Sequence, residues 1–433
     1  MVVASIDVQN GKVVQLKQGA ELVIERTDAD DLINDFNRFG EVAVIDLDAA
    51  MGKQNNDALI LPLLRKAQCR VGGGIRSAER ALQLVSLGAK KVIVGSQAFR
   101  FEGGFALNVP FLQELAAKIG RNRIIIAVDA ISGEIVVDGW KTKTGLNLLQ
   151  TASDAEKYAG ELLFTCVEKE GMLGGTDMEA VRNLRQAVKC RLTVAGGVST
   201  LEEIEALAKL DCDVQLGMAL YTGRLNLTDA FIASLNWAKA FLGGDSRYLL
   251  PVIAQSPDGQ VLMTGYADKE AVEMSFKRGF LCFHSRSRNK LWQKGETSHN
   301  TLRLIKMRAD CDRDALLATV ENVGEICHTG AWSCFENDRR WTFEQLLSLI
   351  NERFASAPAG SYTASLTADK VRKKLMEESF EVCTAKTHDE IVFESADVFY
   401  FLLALMAREN ISVQEVLDEL QRRHFDRSHK SRE

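Results

Sequence analysis

Hydrophobic positions along the chain change their spacing twice. From residue 1 to about 240, short β-branched runs alternate with stretches of helical period: VVASIDV, VAVIDLD, CRVGGGI, KKVIVGS, RIIIAVD, ELLFTCV, RLTVAGG and DVQLGM. Eight strands alternating with helices predict a parallel sheet. An internal repeat at an offset of 122 or 123 residues aligns Asp7, Gly11, Gly73, Gly74 and Gly95 with Asp129, Gly133, Gly196, Gly197 and Gly217. That spacing is too long for a solenoid and suggests two fused half-barrels, an eight-stranded (β/α)8 TIM barrel, with a doubly wound open sheet as the competing architecture. The run FLGGD at 241–245 breaks the pattern and reads as a linker or the end of the last barrel helix. From 248 to about 335 short strands rich in Arg, Ser, Thr and Asp predict a small mixed β-rich domain. From 341 onward apolar residues fall at i, i+3, i+4, including the run ISVQEVLDELQRR, which predicts an all-α helical bundle of about four helices with the polar stretch 355–362 as an internal loop. The expected domains are therefore 1–242, 246–340 and 341–433.

Composition narrows the function. At 433 residues the chain has room for two to four cores, and 46% hydrophobic content with 5 Pro describes an ordered globular protein. A formal charge of −6, spread along the chain, argues against general nucleic-acid binding, so a phosphorylated substrate must be met by local basic residues. The start MVVASIDVQNGK lacks a cationic segment followed by an apolar run, and the most apolar stretch, 398–406, is too short for a membrane span. A soluble, cytoplasmic protein with reduced thiols is expected. Among the nine Cys, Cys69, Cys190, Cys212, Cys282 and Cys383 read as buried small hydrophobes, whereas Cys311, Cys327 and Cys334 sit amid other reactive residues.

The densest chemistry lies in MRADCDRDALLATVENVGEICHTGAWSCF. Asp310, Asp312 and Asp314 alternate with Cys311 and Arg313, so in an extended segment the carboxylates share one face and suit a hard cation; a solvated acidic loop is the bland alternative. Cys311, Cys327 and Cys334 make a three-thiol set, the donor number of a catalytic zinc site with an open position, although three buried thiols would have the same spacing. His328 is a candidate acid/base or pocket filler. Upstream, Arg286, Arg288, Lys290 and Lys294 lie among small hydroxyl residues and suit phosphate oxygens. With SRSR at 285–288, LWQKGETS at 291–298, DCDRD at 310–314 and CHTG with SCF at 327–335, the segment resembles the phosphoribosyl-AMP cyclohydrolase family over about 90 residues. The resemblance implies Zn2+ on Cys311, Cys327 and Cys334, Mg2+ on Asp310, Asp312 and Asp314, and a site spanning a homodimer interface. It also implies attack of a zinc-activated water, as hydroxide, on C6 of an N1-substituted purine and opening of its N1–C6 bond, with His328 as proton carrier and Arg286, Arg288 and Lys294 on the phosphates.

In the helical part, Glu377, Glu378 and Glu381 precede Glu394 and Asp397 in EExxE and ExxD patterns on successive helices. Residues three or four apart share a helix face, so the two sets can converge on Mg2+. SYTASL at 361–366, KLMEES at 374–379 and ESAD at 394–397 resemble phosphoribosyl-ATP pyrophosphohydrolase over about 85 residues. This implies hydrolysis between the α and β phosphates with Lys374 and Arg372 as phosphate contacts. Met376 and Phe401 depart from that family's usual Gly and His. The implied partners are small phosphoribosyl nucleotides.

The barrel resembles phosphoribosylformimino-aminoimidazole carboxamide ribotide isomerase, through SIDVQNGKVVQLKQG at 5–19, VGGGIRS at 71–77, IAVD and DGW within 126–140, and AGGVST at 195–200. Gly73, Gly74 and Arg76 in one turn and Gly196 and Gly197 in the other would hold the two phosphates of a bisphosphorylated substrate. The resemblance implies Asp7 as general base and Asp129 as general acid, with Trp140 and Thr165 contacting substrate. Glu170 and Met172 stand where the family has Asp and Thr, which leaves two readings: an active isomerase that makes the chain trifunctional, or a barrel with weak or absent isomerisation kept as a folding, dimerisation or nucleotide-binding scaffold.

Overall fold

The computed structural model describes residues 1–242, 248–322, 324–417, 419, 420 and 423. Two compact units divide the chain, Met1–Asn337 and Asp338–Arg432. In the first, the strands Val2–Gln9, Val42–Asp46, Cys69–Gly72, Lys91–Val94, Ile124–Ala127, Glu161–Thr165, Arg191–Ala195 and Asp213–Leu216 pair in parallel in chain order. The eighth closes on the first, with Val2 opposite Val214. Each strand falls in one of the β-branched runs, because a parallel strand covered on both faces must be apolar along its length. Closure leaves the barrel and removes the open-sheet alternative. Ile93, Ile125, Ala127, Leu163 and Ala195 meet in its interior. An antiparallel hairpin, Lys12–Lys17 with Glu21–Arg26, extends the first strand.

The β-rich region that follows belongs to the same unit. Its four main strands run in the order Val261–Ala267, Tyr248–Gln255, Leu316–Asn322, Leu302–Ala309, and the hairpin Cys282–Ser285 with Lys290–Gln293 stands apart. One apolar core joins this sheet to the barrel: Phe231, Ile232 and Leu235 pack with Leu250, Leu262 and Leu316. The rings of Phe39 and Phe276 stack with centroids 4.1 Å apart. Phe241 and Leu242 pair with Leu249 and Tyr248, so that part of the proposed linker is a short strand; its Gly243, Gly244 and Asp245 lie outside the described residues.

The second unit is helical, with Phe343–Ser356, Tyr362–Ser365, Ala368–Thr384 and His388–Arg408. In the later ISVQEVLDELQRR run, 413–417 is also helical, while Asp418, Gln421 and Arg422 lie outside the described residues. Thr387 and Glu390 form a reciprocal capping box that starts the longest helix. Leu347, Ile350, Val371, Phe401, Ala404 and Met406 form the core. Phe401, the departure from a family histidine, is thus a packing residue. Among the described residues no helix is long and apolar enough to cross a membrane. Cys69, Cys212 and Cys282 are buried as expected, but Cys190 is half-buried and Cys383 is exposed.

Candidate active sites

The barrel carries a cavity of about 520 Å3 at the carboxyl ends of its strands. The barrel's expected acid, base and substrate-contact residues line it: Asp7, Asp129, Trp140 and Thr165 on its walls, with Gly73, Gly74, Arg76, Gly196 and Gly197 in the two turns. The repeat has a steric cause. Gly73 has φ +96° and a Cβ there would lie 2.1 Å from the Asp46 carbonyl oxygen; Gly196 has φ +91° and a Cβ would lie 2.6 Å from that of Cys166. Each turn presses on the end of the preceding strand, which only glycine permits. Ser5 Oγ donates to Asp7 Oδ1 at 2.7 Å and Trp140 Nε1 donates to Asp129 Oδ2 at 2.8 Å, while Asp129 Oδ1 is buried without a partner. Burial raises Asp7 to about 6 and also raises Asp129.

Glu170, noted in the sequence only as a departure, lines the same cavity. Burial first, then the charges of Asp7 and Asp129, push it up to about 7. Three acids therefore share one enclosed space. Met172 is 45% exposed and is not among the cavity-lining residues. The sequence marks Glu170 only as standing where the related family has Asp; that it shares the cavity with Asp7 and Asp129 comes from the fold.

In the β-rich region the acidic motif is not extended. Residues 310–315 form the turn between Leu302–Ala309 and Leu316–Asn322, with Arg313 at φ +65°. The antiparallel pairing of those strands forces the chain to reverse there. One carboxylate oxygen from each of Asp310, Asp312 and Asp314 nevertheless lies within 4.8 Å of the others, so the expected clustering arises from the turn and not from alternation. Cys327 and Cys334 lie close enough that each thiol shifts the other, and Thr329 Oγ1 donates to Cys327 Sγ at 3.1 Å. That donation draws the Cys327 thiol below its ordinary range. Cys311 is exposed on the acidic turn, its Sγ 3.9 Å from an Asp312 oxygen, and among the described residues it forms no three-ligand group with the other two thiols. His328 is exposed, its Nδ1 3.8 Å from Cys327 Sγ.

The basic residues separate into two kinds. Arg286 lies over the Tyr266 ring at 3.9 Å and Arg288 over the Trp292 ring at 5.2 Å, both exposed. Lys294 is 8% exposed and donates to the Ile326 carbonyl at 2.6 Å. It is a buried neighbour of the Cys327 and Cys334 thiols, not a third exposed arm of the Arg286 and Arg288 cluster.

In the helical unit Glu378, Glu381 and Glu394 bring one oxygen each within 4.8 Å, and Glu394 Oε2 is buried without a hydrogen-bond partner. Desolvation and the neighbouring carboxylates of Glu381, Glu378 and Asp397 raise Glu394. Glu377 and Asp397 lie outside this tight group. Glu377 pairs with Lys374 at 3.0 Å, and Lys374 also reaches Glu378 at 3.3 Å. Arg372 pairs with Glu409 at 2.6 Å.

A closed barrel with paired glycine turns, a thiol pair beside a carboxylate turn, and a helical carboxylate cluster together define a multidomain enzyme for phosphorylated substrates. The family of histidine biosynthesis proteins matches residues 1–226, phosphoribosyl-AMP cyclohydrolases residues 263–336, and phosphoribosyl-ATP pyrophosphohydrolases residues 343–424. The chain belongs to the histidine biosynthesis protein family and is a multifunctional hydrolase with cyclohydrolase and pyrophosphohydrolase domains. The cyclohydrolase family is metal-dependent. The histidine biosynthesis bifunctional protein HisIE of Bacillus subtilis (strain 168) is 41% identical over 193 residues, 41% of this chain and 92% of that protein. Its namesake in Thermotoga maritima is 40% identical over 192 residues, 40% of this chain and 98% of that protein. That of Escherichia coli O6:H1 is 37% identical over 207 residues, 46% of this chain and 99% of that protein.

Proposed function

We propose that the helical domain, 341–433, releases pyrophosphate from phosphoribosyl-ATP, and that the β-rich domain, 246–340, then opens the adenine ring of the resulting phosphoribosyl-AMP. The observation that carries this is the presence of two separate carboxylate clusters, one in each matched domain, with a thiol pair in the cyclohydrolase domain. The buried, unpartnered Glu394 Oε2 fits a cation ligand, since a buried unpaired carboxylate oxygen is costly. Glu378, Glu381 and Glu394 would hold Mg2+, with Glu377 and Asp397 at its edge. Asp310, Asp312 and Asp314 would hold a second, and Cys327 and Cys334 would hold Zn2+ with Cys311 of a second copy. Zinc supplies a water of near-neutral pKa, and magnesium supplies positive charge for phosphate oxygens. The chain's own residues do the rest: Arg286 and Arg288 bind phosphate, Lys374 orients Glu378, and His328 moves a proton at its imidazole nitrogen.

The division of the thiols supports a homodimer, and so does an apolar face on the helical unit, where Met376, Phe380 and Phe393 are 75%, 69% and 67% exposed. For the barrel, 1–242, the two glycine turns support binding of a bisphosphorylated ligand, with Asp7 and Asp129 as base and acid and Glu170 limiting turnover. Zinc analysis tests the cyclohydrolase reading. The purified protein should carry zinc in near-stoichiometric amount, and Cys334→Ala should lose both the metal and ring opening. A variant that kept bound zinc and turnover would contradict the thiol assignment.

A further inference from the structure

The acidic turn of the cyclohydrolase domain is fastened to the barrel. Its central residue, Arg313, is 5% exposed and points away from the carboxylates into the barrel floor, the end opposite the cavity. There Nη1 donates to the Cys212 carbonyl at 2.9 Å, and Nη2 donates to the Ala208 carbonyl at 3.1 Å and to Asp211 at 2.7 Å. Asp213, the first residue of the eighth strand, lies 3.8 Å from Nη1. From the segment after the last barrel helix, the Asn236 amide N–H donates to the Arg313 carbonyl at 2.8 Å, and Lys239 reaches Asp312 at 2.6 Å.

Two consequences follow from this arrangement. A guanidinium set between acidic neighbours would ordinarily fold back on them and take a cation's place, since forked pairing with carboxylates is its strongest interaction. Sinking it in the floor keeps the guanidinium off the cluster, where Lys239 instead stands 2.6 Å from Asp312 and 4.0 Å from Asp314, while the Arg313 backbone holds the left-handed φ of +65° that makes the turn. The turn has local bonds of its own, from the Asp314 and Ala315 amides to Asp310 Oδ1 at 3.1 and 3.2 Å. These close the loop on Asp310, and Arg313 and Lys239 tie the closed loop to the barrel.

We propose that the barrel floor is a structural part of the cyclohydrolase site, with Arg313 as a positioning residue that holds Asp310, Asp312 and Asp314 in one cluster by anchoring their turn to the Ala208–Asp213 segment. The role is independent of any turnover in the barrel cavity. It rests on the reading of those carboxylates as a cation site, and two readouts on the full-length protein separate the claims. Hydrogen exchange of amides 310–315 in the metal-free protein reports the anchor. The Mg2+ concentration for half-maximal ring opening, with phosphoribosyl-AMP supplied directly, reports the cation site.

Arg313→Ala should speed exchange at 310–315 and raise the Mg2+ midpoint, each by roughly tenfold, because several charge-assisted hydrogen bonds are lost together. Pyrophosphate release from phosphoribosyl-ATP, made in the other unit, should be unchanged. Arg313→Lys should recover part of both effects. Asp211 is exposed at the surface, so Asp211→Ala removes one bond without touching the core and should give about a threefold change in exchange. Wild-type exchange in Arg313→Ala would overturn the anchor; if that variant does not fold, wild-type exchange in Asp211→Ala overturns it. Ring opening indifferent to Mg2+ in the wild type would overturn the cation reading, with exchange still deciding the anchor.

Discussion

Arg70→Leu should destabilise the Met1–Asn337 unit by about 3–5 kcal/mol, the range for removing one partner of a buried ion pair. Arg70 is 1% exposed in the barrel floor, between Glu41 and Glu161, and Glu161 is 2% exposed on its side chain. Lys91 reaches Glu161 at 2.9 Å and the Thr193 hydroxyl donates to it at 2.6 Å, so the third, fourth, sixth and seventh strands meet in this network. Burial alone would raise the Glu161 carboxyl; the charges of Arg70 and Lys91 overcome it and hold the group at about 2 against an ordinary 4.5. That difference corresponds to about 3 kcal/mol at roughly 1.4 kcal/mol per unit, consistent with the mutational range. At the low end of the usual slope for a large unit, about 2 °C per kcal/mol, the Tm of the first transition should fall by roughly 6–10 °C. The pH dependence has a definite sign. A depressed carboxylate contributes fully above its unfolded pKa and loses its contribution as pH falls, here between about 4.5 and about 2. Calorimetry at pH 7, 5 and 3.5 should therefore show the gap between wild type and Arg70→Leu narrowing in acid. A gap under 2 °C at pH 7, or one that widens in acid, would refute the reasoning.

Glu378→Gln should lower pyrophosphate release by at least about 10²-fold while supplied phosphoribosyl-AMP is still consumed, since the change keeps shape and removes a charged ligand; normal release would remove the helical cluster from the mechanism. In the barrel, Glu170→Asp should raise isomerisation of the ring-opened aminoaldose from a weak basal rate, because a carboxylate misplaced by about 1 Å can cost on the order of 10²-fold. An unchanged rate would clear Glu170 of limiting turnover, and a fast wild-type rate abolished in Asp7→Asn would show a barrel that turns over without help. Sedimentation should find dimers, and Phe380→Glu, on the exposed apolar face of its helix, should shift them towards monomer; wild-type assembly would place the interface elsewhere.

The barrel was legible because each strand is an apolar run bounded by turn residues, and because the paired glycines mark backbone positions where a Cβ would strike the neighbouring strand. The metal-type clusters were legible where local geometry makes them, as on the turn at Asp310, Asp312 and Asp314. Contacts set by tertiary packing were not. Arg313 looked like one more charge among acids, and its anchor lies about a hundred residues earlier, at Ala208, Asp211 and Cys212. The spacing of Cys311, Cys327 and Cys334 carried no sign that Cys311 stands apart within one chain. Helical periodicity groups Glu377 with Glu378 and Glu381, but only Glu378 and Glu381 of that set close on Glu394, a contact set by how the two helices pack. Composition reads Cys383 as a core residue, whereas its helix turns it outward.

The central claim is that two hydrolyses run in sequence on separate sites of one chain. A time course with phosphoribosyl-ATP, Mg2+ and Zn2+, following pyrophosphate and ring opening together, tests it in the wild type and in Cys327→Ala. The wild type should release pyrophosphate first and then accumulate the ring-opened product. Cys327→Ala should release pyrophosphate at the wild-type rate and stop at phosphoribosyl-AMP. Ring opening undiminished in Cys327→Ala, or loss of pyrophosphate release together with ring opening in a folded variant, would contradict the account.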